Sequence, residues 1–243
     1  MARHVASSSR YSSPARSGRY QRGFSLAELA IVGILFGLIT AFVVVGEGIV
    51  TQSRIKGAVN DIEAIKIAVL TYYDRYQALP GDDPRAAGRW PAGAKDGTGD
   101  GRVGGSYQDT PVNPATSLTI TAPAGDGESL NFWWHLRLAQ LITAPPPQIT
   151  MVAQPVNYFG GVFGVQWAPL GFPRLAACMA NLPADIAIGI ESQLDDGFPN
   201  RGLVRAARQN PGVDNESLAT ANAAIAAYEG GSDAMYIVCR RID

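Results

Sequence analysis

Residues 22–45 read RGFSLAELAIVGILFGLITAFVVV. The apolar run at its centre, residues 29–45, is 17 residues long and carries no charge. That approaches the roughly 20 apolar residues a bilayer-crossing helix requires. One carboxylate, Glu28, stands at the front of the run, where a charge at membrane depth costs several kcal/mol and marks a functional position. Working outward, residues 1–23 carry five arginines (Arg3, Arg10, Arg16, Arg19, Arg22) and no acid. Positive charge on that side predicts a cytoplasmic N-terminus, with everything after residue 48 on the far side of the membrane.

A secretory signal would have a shorter apolar core followed by small residues at a cleavage site. Here residues 46–49 are Gly-Glu-Gly-Ile. A plain anchor accounts for the length but not for Glu28. Were the chain cut after Gly23, Phe24 would expose a new α-amino group four residues from Glu28, at the positive end of the helix. The carboxylate of one subunit could then pair with the amine of a neighbour and fix helix register.

The amphipathic pattern continues beyond the apolar run. Ile55, Val59, Ile62, Ile65, Val69, Tyr72 or Tyr73, and Tyr76 recur in steps of three and four, the stripe of a helix with one buried face. Leu79-Pro80-Gly81-Asp82-Asp83 stops it. A single helix over about 24–77 is therefore expected, with a globular body behind it. Within the helix, Gly33 and Gly37 form a GxxxG spacing that lets apolar helices approach closely. Gly46 and Gly48 mark a place where helix is weak.

Residues 80–127 are rich in Gly, Pro, Asp and Thr and read as loop. Residues 129–142, with Trp133 and Trp134, read as helix. A strand pair is expected over 156–167, a short helix over 183–194, a turn at 195–200, an alanine-rich helix over 216–228 and a closing strand over 235–239. The fold class expected is α+β, with a small antiparallel sheet. Cys178 and Cys239 are either a disulfide tying the closing strand to the body or two buried thiols; an oxidising compartment favours the bridge.

Composition limits the function classes. Hydrophobic residues make up 47% and charged residues 17%. Removing the five leader arginines from the net charge of −1 leaves about −6 on the remainder, which argues against nucleic acid as a partner. His135 is the one histidine outside the leader, and it lies in an apolar helix, so it reads as a hydrogen-bonded packing residue. No nucleophile elbow, metalloprotease helix or phosphate loop occurs. The chain is not expected to be an enzyme. Asp96, Thr98 and Asp100 alternate ahead of Gly101, the front half of an EF-hand-like calcium loop. Position twelve is Tyr107 rather than Glu, so Asp109, Asp126 or Glu128 would have to complete it. Calcium is a candidate structural cofactor there. Asp195-Asp196 is a second acidic turn.

Gly23-Phe24-Ser25-Leu26-Ala27-Glu28 with its following apolar run resembles the cleavage and methylation motif of type IV pilins and type II secretion pseudopilins. The resemblance implies a leader, residues 1–23, removed between Gly23 and Phe24 by prepilin peptidase, which also N-methylates Phe24. It implies that Glu28 serves subunit assembly. It implies a lollipop: residues 24–48 as the membrane and assembly half of the first helix, 49–79 as its amphipathic half, and 80–243 as a periplasmic head. The partners would be other pilin or pseudopilin subunits and an inner-membrane assembly platform. Tyr72-Tyr73, Leu79–Asp83, Gly99-Asp100-Gly101, the Trp133–Leu136 helix and the 194–202 turn are similar to a pilin-like subgroup, which extends the resemblance through the head. The size and irregular loops of the head favour a minor subunit. The alternative is a membrane-anchored binding or catalytic domain that shares only the sorting signal.

Overall fold

The computed structural model describes residues 23–91, 94–109, 127–143, 153–218, 224–229 and 233–242, with 41–47 described as backbone alone. The leader expected over 1–23 lies outside these residues except for Gly23. So do Asp126 and the proline run at 145–147. The chain divides into two compact units, Met1–Glu47 and Gly48–Asp243.

Helix α1 spans Leu26–Tyr76, and its backbone stays helical through residues 46–48. In the second unit its stripe is buried as the spacing predicts: Ile55, Ile62, Ile65, Val69 and Tyr72 are all in the core. Tyr73, one step off the stripe, is half exposed. Short α2, Ala86–Arg89, follows the Pro80 turn. Helix α3 is Glu128–Leu138, somewhat shorter than the 129–142 expected. Its Phe132, Trp133 and Leu136 are fully buried.

The fold is α+β. Strands β1 (Phe163–Trp167), β2 (Leu175–Pro183), β3 (Val204–Arg208) and β4 (Met235–Arg241) form one antiparallel sheet in the order β1-β2-β4-β3. Helix α4, Ala184–Leu194, leaves β2 directly. Successive side chains on a strand point to opposite faces, and here both faces are covered. Ala177, Met179, Tyr236 and Val238 pack with the α1 stripe, α3 and α4. Ala176, Cys178, Ile237 and Cys239 pack under Tyr107, Leu170, Phe172 and Leu218.

Three expectations are corrected. Only an isolated bridge, Val156–Val162, precedes β1 where a strand pair is expected. Strands β2 and β3 have no counterpart in the sequence reading: β2 is buried on both faces and so does not alternate in polarity, and β3 is a five-residue stretch, Val-Arg-Ala-Ala-Arg, with a single β-branched residue. The alanine-rich helix over 216–228 is absent from the described part of that segment, 216–218 and 224–228. Its described backbone groups are bonded elsewhere in the unit instead. The Glu216 carbonyl accepts from the Tyr107 hydroxyl, the Leu218 carbonyl from Gln166 Nε2, and the Ile225 N–H donates to the Ala206 carbonyl. Groups spent this way cannot close helical turns.

Cys178 and Cys239 sit opposite each other in the β2–β4 register and form a disulfide. It closes a loop with a sequence separation of 61, for which the chain-entropy model gives roughly 4 kcal/mol. The double variant Cys178→Ala, Cys239→Ala is expected to lower unfolding free energy by about that much, measured by urea denaturation against the oxidised chain. A loss under about 1 kcal/mol would mean that packing alone holds β4 in place.

Candidate functional site

The N-terminal segment is the first site the sequence singles out. Phe24 is 80% exposed. Ser25 caps the start of α1 and engages Glu28 reciprocally. The Ser25 N–H donates to Glu28 Oε2 at 2.8 Å, and the Glu28 N–H donates to Ser25 Oγ at 3.2 Å. This is a capping box, which satisfies two amide donors that a helix start leaves without partners. The Ser-x-x-Glu spacing that signals this cap is present in the sequence at residues 25–28. Glu28 thus holds its carboxylate beside the first residues of the helix before any neighbour is considered.

Beyond the cap the helix surface is apolar all round. Leu26, Phe36 and Ile34 are among the most exposed, and Leu29, Ile31, Val32, Leu35, Leu38 and Ile39 are all more than half exposed. Thr40 turns its hydroxyl back onto the Phe36 and Gly37 carbonyls, which removes its polarity from the surface. At Gly33 and Gly37 a Cβ would meet nothing within 4 Å, so the helix face they share is open. Among the described residues no helix is long and apolar enough to cross a membrane; residues 41–45 of the apolar run lie outside the described side chains.

The second site is the acidic loop. Asp96, Thr98 and Asp100 do not converge on one point. Asp96 Oδ1 accepts from the Ala87 N–H, and Asp100 Oδ1 accepts from the Arg102 N–H. Thr98 Oγ1 lies within hydrogen-bond reach of both Asp82 Oδ1 and Glu128 Oε1. Two buried carboxylates organise the loop. Asp82 accepts from the amides of Gly99, Asp100 and Gly101. Glu128 accepts from those of Thr98 and Gly104. Gly97 comes so close to the turn that a Cβ there would lie 2.3 Å from the Gly81 carbonyl oxygen. Asp109, considered as a further ligand, instead accepts from the Ser106 N–H and the Ser129 hydroxyl.

Beside the loop, Asp83 accepts from the Tyr72 hydroxyl and the Arg85 N–H and pairs with Arg89. His135 is buried. Its Nδ1 accepts from the Gly81 N–H at 2.9 Å and its Nε2 lies 2.8 Å from the Lys95 carbonyl. The two partners fix the neutral Nε2–H tautomer. Tyr72 stacks on its ring and Trp90 lies against it at a tilt, with Tyr76 packed edge-on to Trp90. His135 is therefore a hydrogen-bonded packing residue. Burial pushes its pKa below the ordinary histidine value, against the Lys95 carbonyl, with the Arg89 charge acting in the same direction as burial.

The third site is the turn after α4. Glu191, Asp195 and Asp196 bring one carboxylate oxygen each within 4.8 Å of the others. Glu191 is fully buried; Tyr228 donates to its Oε2 at 3.3 Å, and its Oε1 has no partner. Burial, then the Asp195 charge, push its pKa up to about 8, with the Tyr228 hydroxyl opposing and Asp196 adding to the rise. Asp195 Oδ2 accepts from the Leu203 and Val204 amides, and Asp196 pairs with Arg201.

Comparison with protein-family models, with curated proteins and with solved structures yields no match.

The histidine provides a pH test. An unfolded histidine takes up a proton near pH 6.5 and the folded one resists it. Stability is therefore complete above about pH 6.5 and falls as pH drops, by up to about 1.4 kcal/mol per pH unit. Glu191, whose raised pKa makes its protonation stabilising over the same window, opposes this slope in both chains, so the midpoint of the native chain is expected to decline between pH 7 and 5 relative to that of His135→Gln, which starts lower. Equal slopes would assign the decline to other groups.

Proposed function

We propose that the chain is a structural subunit, of the minor kind, in a type IV pilus or type II secretion pseudopilus. It is cut between Gly23 and Phe24, N-methylated at Phe24, held in the bacterial inner membrane with its head in the periplasm, and drawn into a helical filament. The observation that carries this reading is the motif Gly23-Phe24-Ser25-Leu26-Ala27-Glu28 placed at the start of a helix whose next turns, residues 29–39, are apolar all round. Such a surface must be covered, by lipid, by other helices or by both in turn. Glu28 sits where a charge would be costly in lipid and where a neighbour's Phe24 amine could neutralise it. Its partners in this reading are prepilin peptidase, other subunits and the assembly platform, and residues 80–243 form the head.

The first test is the mass of the N-terminal peptide from membrane-extracted protein. A chain starting at Phe24 with one added methyl group is expected. An uncut chain, or one cut after residue 45, would overturn the reading. The capping box sharpens the second test, because Gln can replace Glu in it. Glu28→Gln keeps the helix start and removes the charge; Glu28→Ala removes both. Both variants are expected to be processed and both to drop out of filaments. Normal assembly of Glu28→Gln would assign Glu28 to capping alone.

A groove of about 630 Å³ on the second unit favours a second reading, an anchored binding domain. Tyr73, Arg85, Trp167 and Arg174 line it. In that case Glu28→Ala would leave function intact.

A further inference from the structure

The last turns of α1 keep a second apolar stripe. Ile67, Leu70 and Tyr73 recur in steps of three, off the face that packs in the core, and are 62%, 44% and 49% exposed. Single exposed apolar residues need no explanation, but these lead into the groove of about 630 Å³, which Leu70 and Tyr73 help to line. Its other walls include Arg85 from the turn after α1, Trp167 at the end of β1 and Arg174 just before β2.

The charge of the groove is opposite to that of the body. The chain without its leader arginines carries about −6, yet the charged side chains lining the groove are Arg85, Arg174 and Asp82. Asp82 is buried and committed to the amides of residues 99–101. Asp100, between two lining glycines, turns its Oδ1 onto the Arg102 N–H. The two arginines have no such commitment. Both are exposed, and neither pairs with a carboxylate among the described residues. The Arg85 guanidinium reaches only the Tyr76 carbonyl, at 3.5 Å. Arg102 adds a third positive charge, its guanidinium 6.0 Å from the centre of the Trp167 ring. Unmatched cations along an apolar cleft focus positive potential into it.

We propose that this groove binds an acidic segment of a partner polypeptide, a short run in which carboxylates flank an apolar side chain. The carboxylates engage Arg85 and Arg174, whose planar forks suit carboxylate geometry. The apolar side chain covers Leu70 and Tyr73. The lining favours a peptide over an acidic glycan. A sugar presents hydroxyls around its rim, and each needs a partner when buried, whereas most of this lining is aliphatic or glycine. The volume lies within the range of about 300–1,000 Å³ typical of small-ligand sites, room for a few side chains. This binding deepens the second reading above, on which it rests, and is independent of cleavage at Gly23, which the N-terminal mass reads separately.

The test uses the full chain in detergent and a fluorescein-labelled hexapeptide of alternating Glu and Leu, read by anisotropy with empty micelles as the blank. Saturable binding is expected, weakening as salt rises. The Gln–Leu analogue should bind at least about tenfold more weakly. Arg85→Gln and Arg174→Gln should each weaken binding of the acidic peptide by about threefold, with unchanged melting temperature because neither side chain has a partner to lose. Leu70→Ser should weaken it without altering the salt dependence. Arg208→Gln, which removes an exposed charge on β3, should leave it unchanged. No saturable binding, equal binding of the Gln–Leu analogue, or the same loss in Arg208→Gln as in Arg174→Gln would each overturn the proposal. So would tighter binding of oligogalacturonate than of the peptide, which would assign the groove to an acidic glycan.

Discussion

The second unit depends on carboxylates removed from water and matched donor by donor. Asp82 and Asp83 follow the turn that ends α1, and both are buried. Asp82 gathers the amides of residues 99–101. Asp83 ties Tyr72 of α1 to Arg85 and to Arg89 of α2. Glu128, at the first turn of α3, takes the other side of the same loop. A buried charge is tolerated only when hydrogen bonds replace its hydration. Three short acidic side chains thereby give a glycine-rich loop one conformation, although that loop has little apolar surface of its own. His135 closes the arrangement by joining the Gly81 amide to the Lys95 carbonyl.

The two ends of this chemistry can be compared along the helices. At the start of α1, Glu28 sits where the helix favours an acid, and the capping box makes use of it. At the end of α4, Glu191 and Asp195 sit where the helix disfavours acids. The first arrangement is locally satisfied and still leaves a charge on an apolar surface. The second is locally unsatisfied and leaves an acceptor without a donor.

Legibility in the sequence followed period and chemistry. The α1 stripe was readable because a long 3.6-residue pattern is hard to produce by chance, and the buried residues fall on it. Helix α4 was readable from Pro183 at its entrance and the acidic turn at its exit. The disulfide was one of two open readings, and the strand register resolved it. Strands β2 and β3 were not legible, since Leu175–Pro183 is apolar on both faces and shows no alternation, and Val204–Arg208 is short with a single β-branched residue. The alanine-rich segment misled in the opposite direction: local propensity favoured helix, while tertiary hydrogen bonds from Gln166, Tyr107 and Ala206 claimed its backbone. At the candidate sites, the sequence placed acids together at 96–100 but could not show that Asp82 and Glu128 had already engaged that loop.

The sheet order has a consequence for how the body comes to exist. Strand β4 lies between β2 and β3, which do not pair with each other. Until residues 235–241 arrive, β3 has no neighbour in the sheet and β2 keeps an open edge. Contacts of this kind close slowly, because long loops must be ordered before the pairing compensates for it. An emerging chain therefore spends its synthesis with the sheet incomplete. During that interval the exposed edge of β2 needs protection from pairing with other chains. Any fusion or truncation that delays β4 would lengthen this vulnerable period without altering a single contact in the finished molecule.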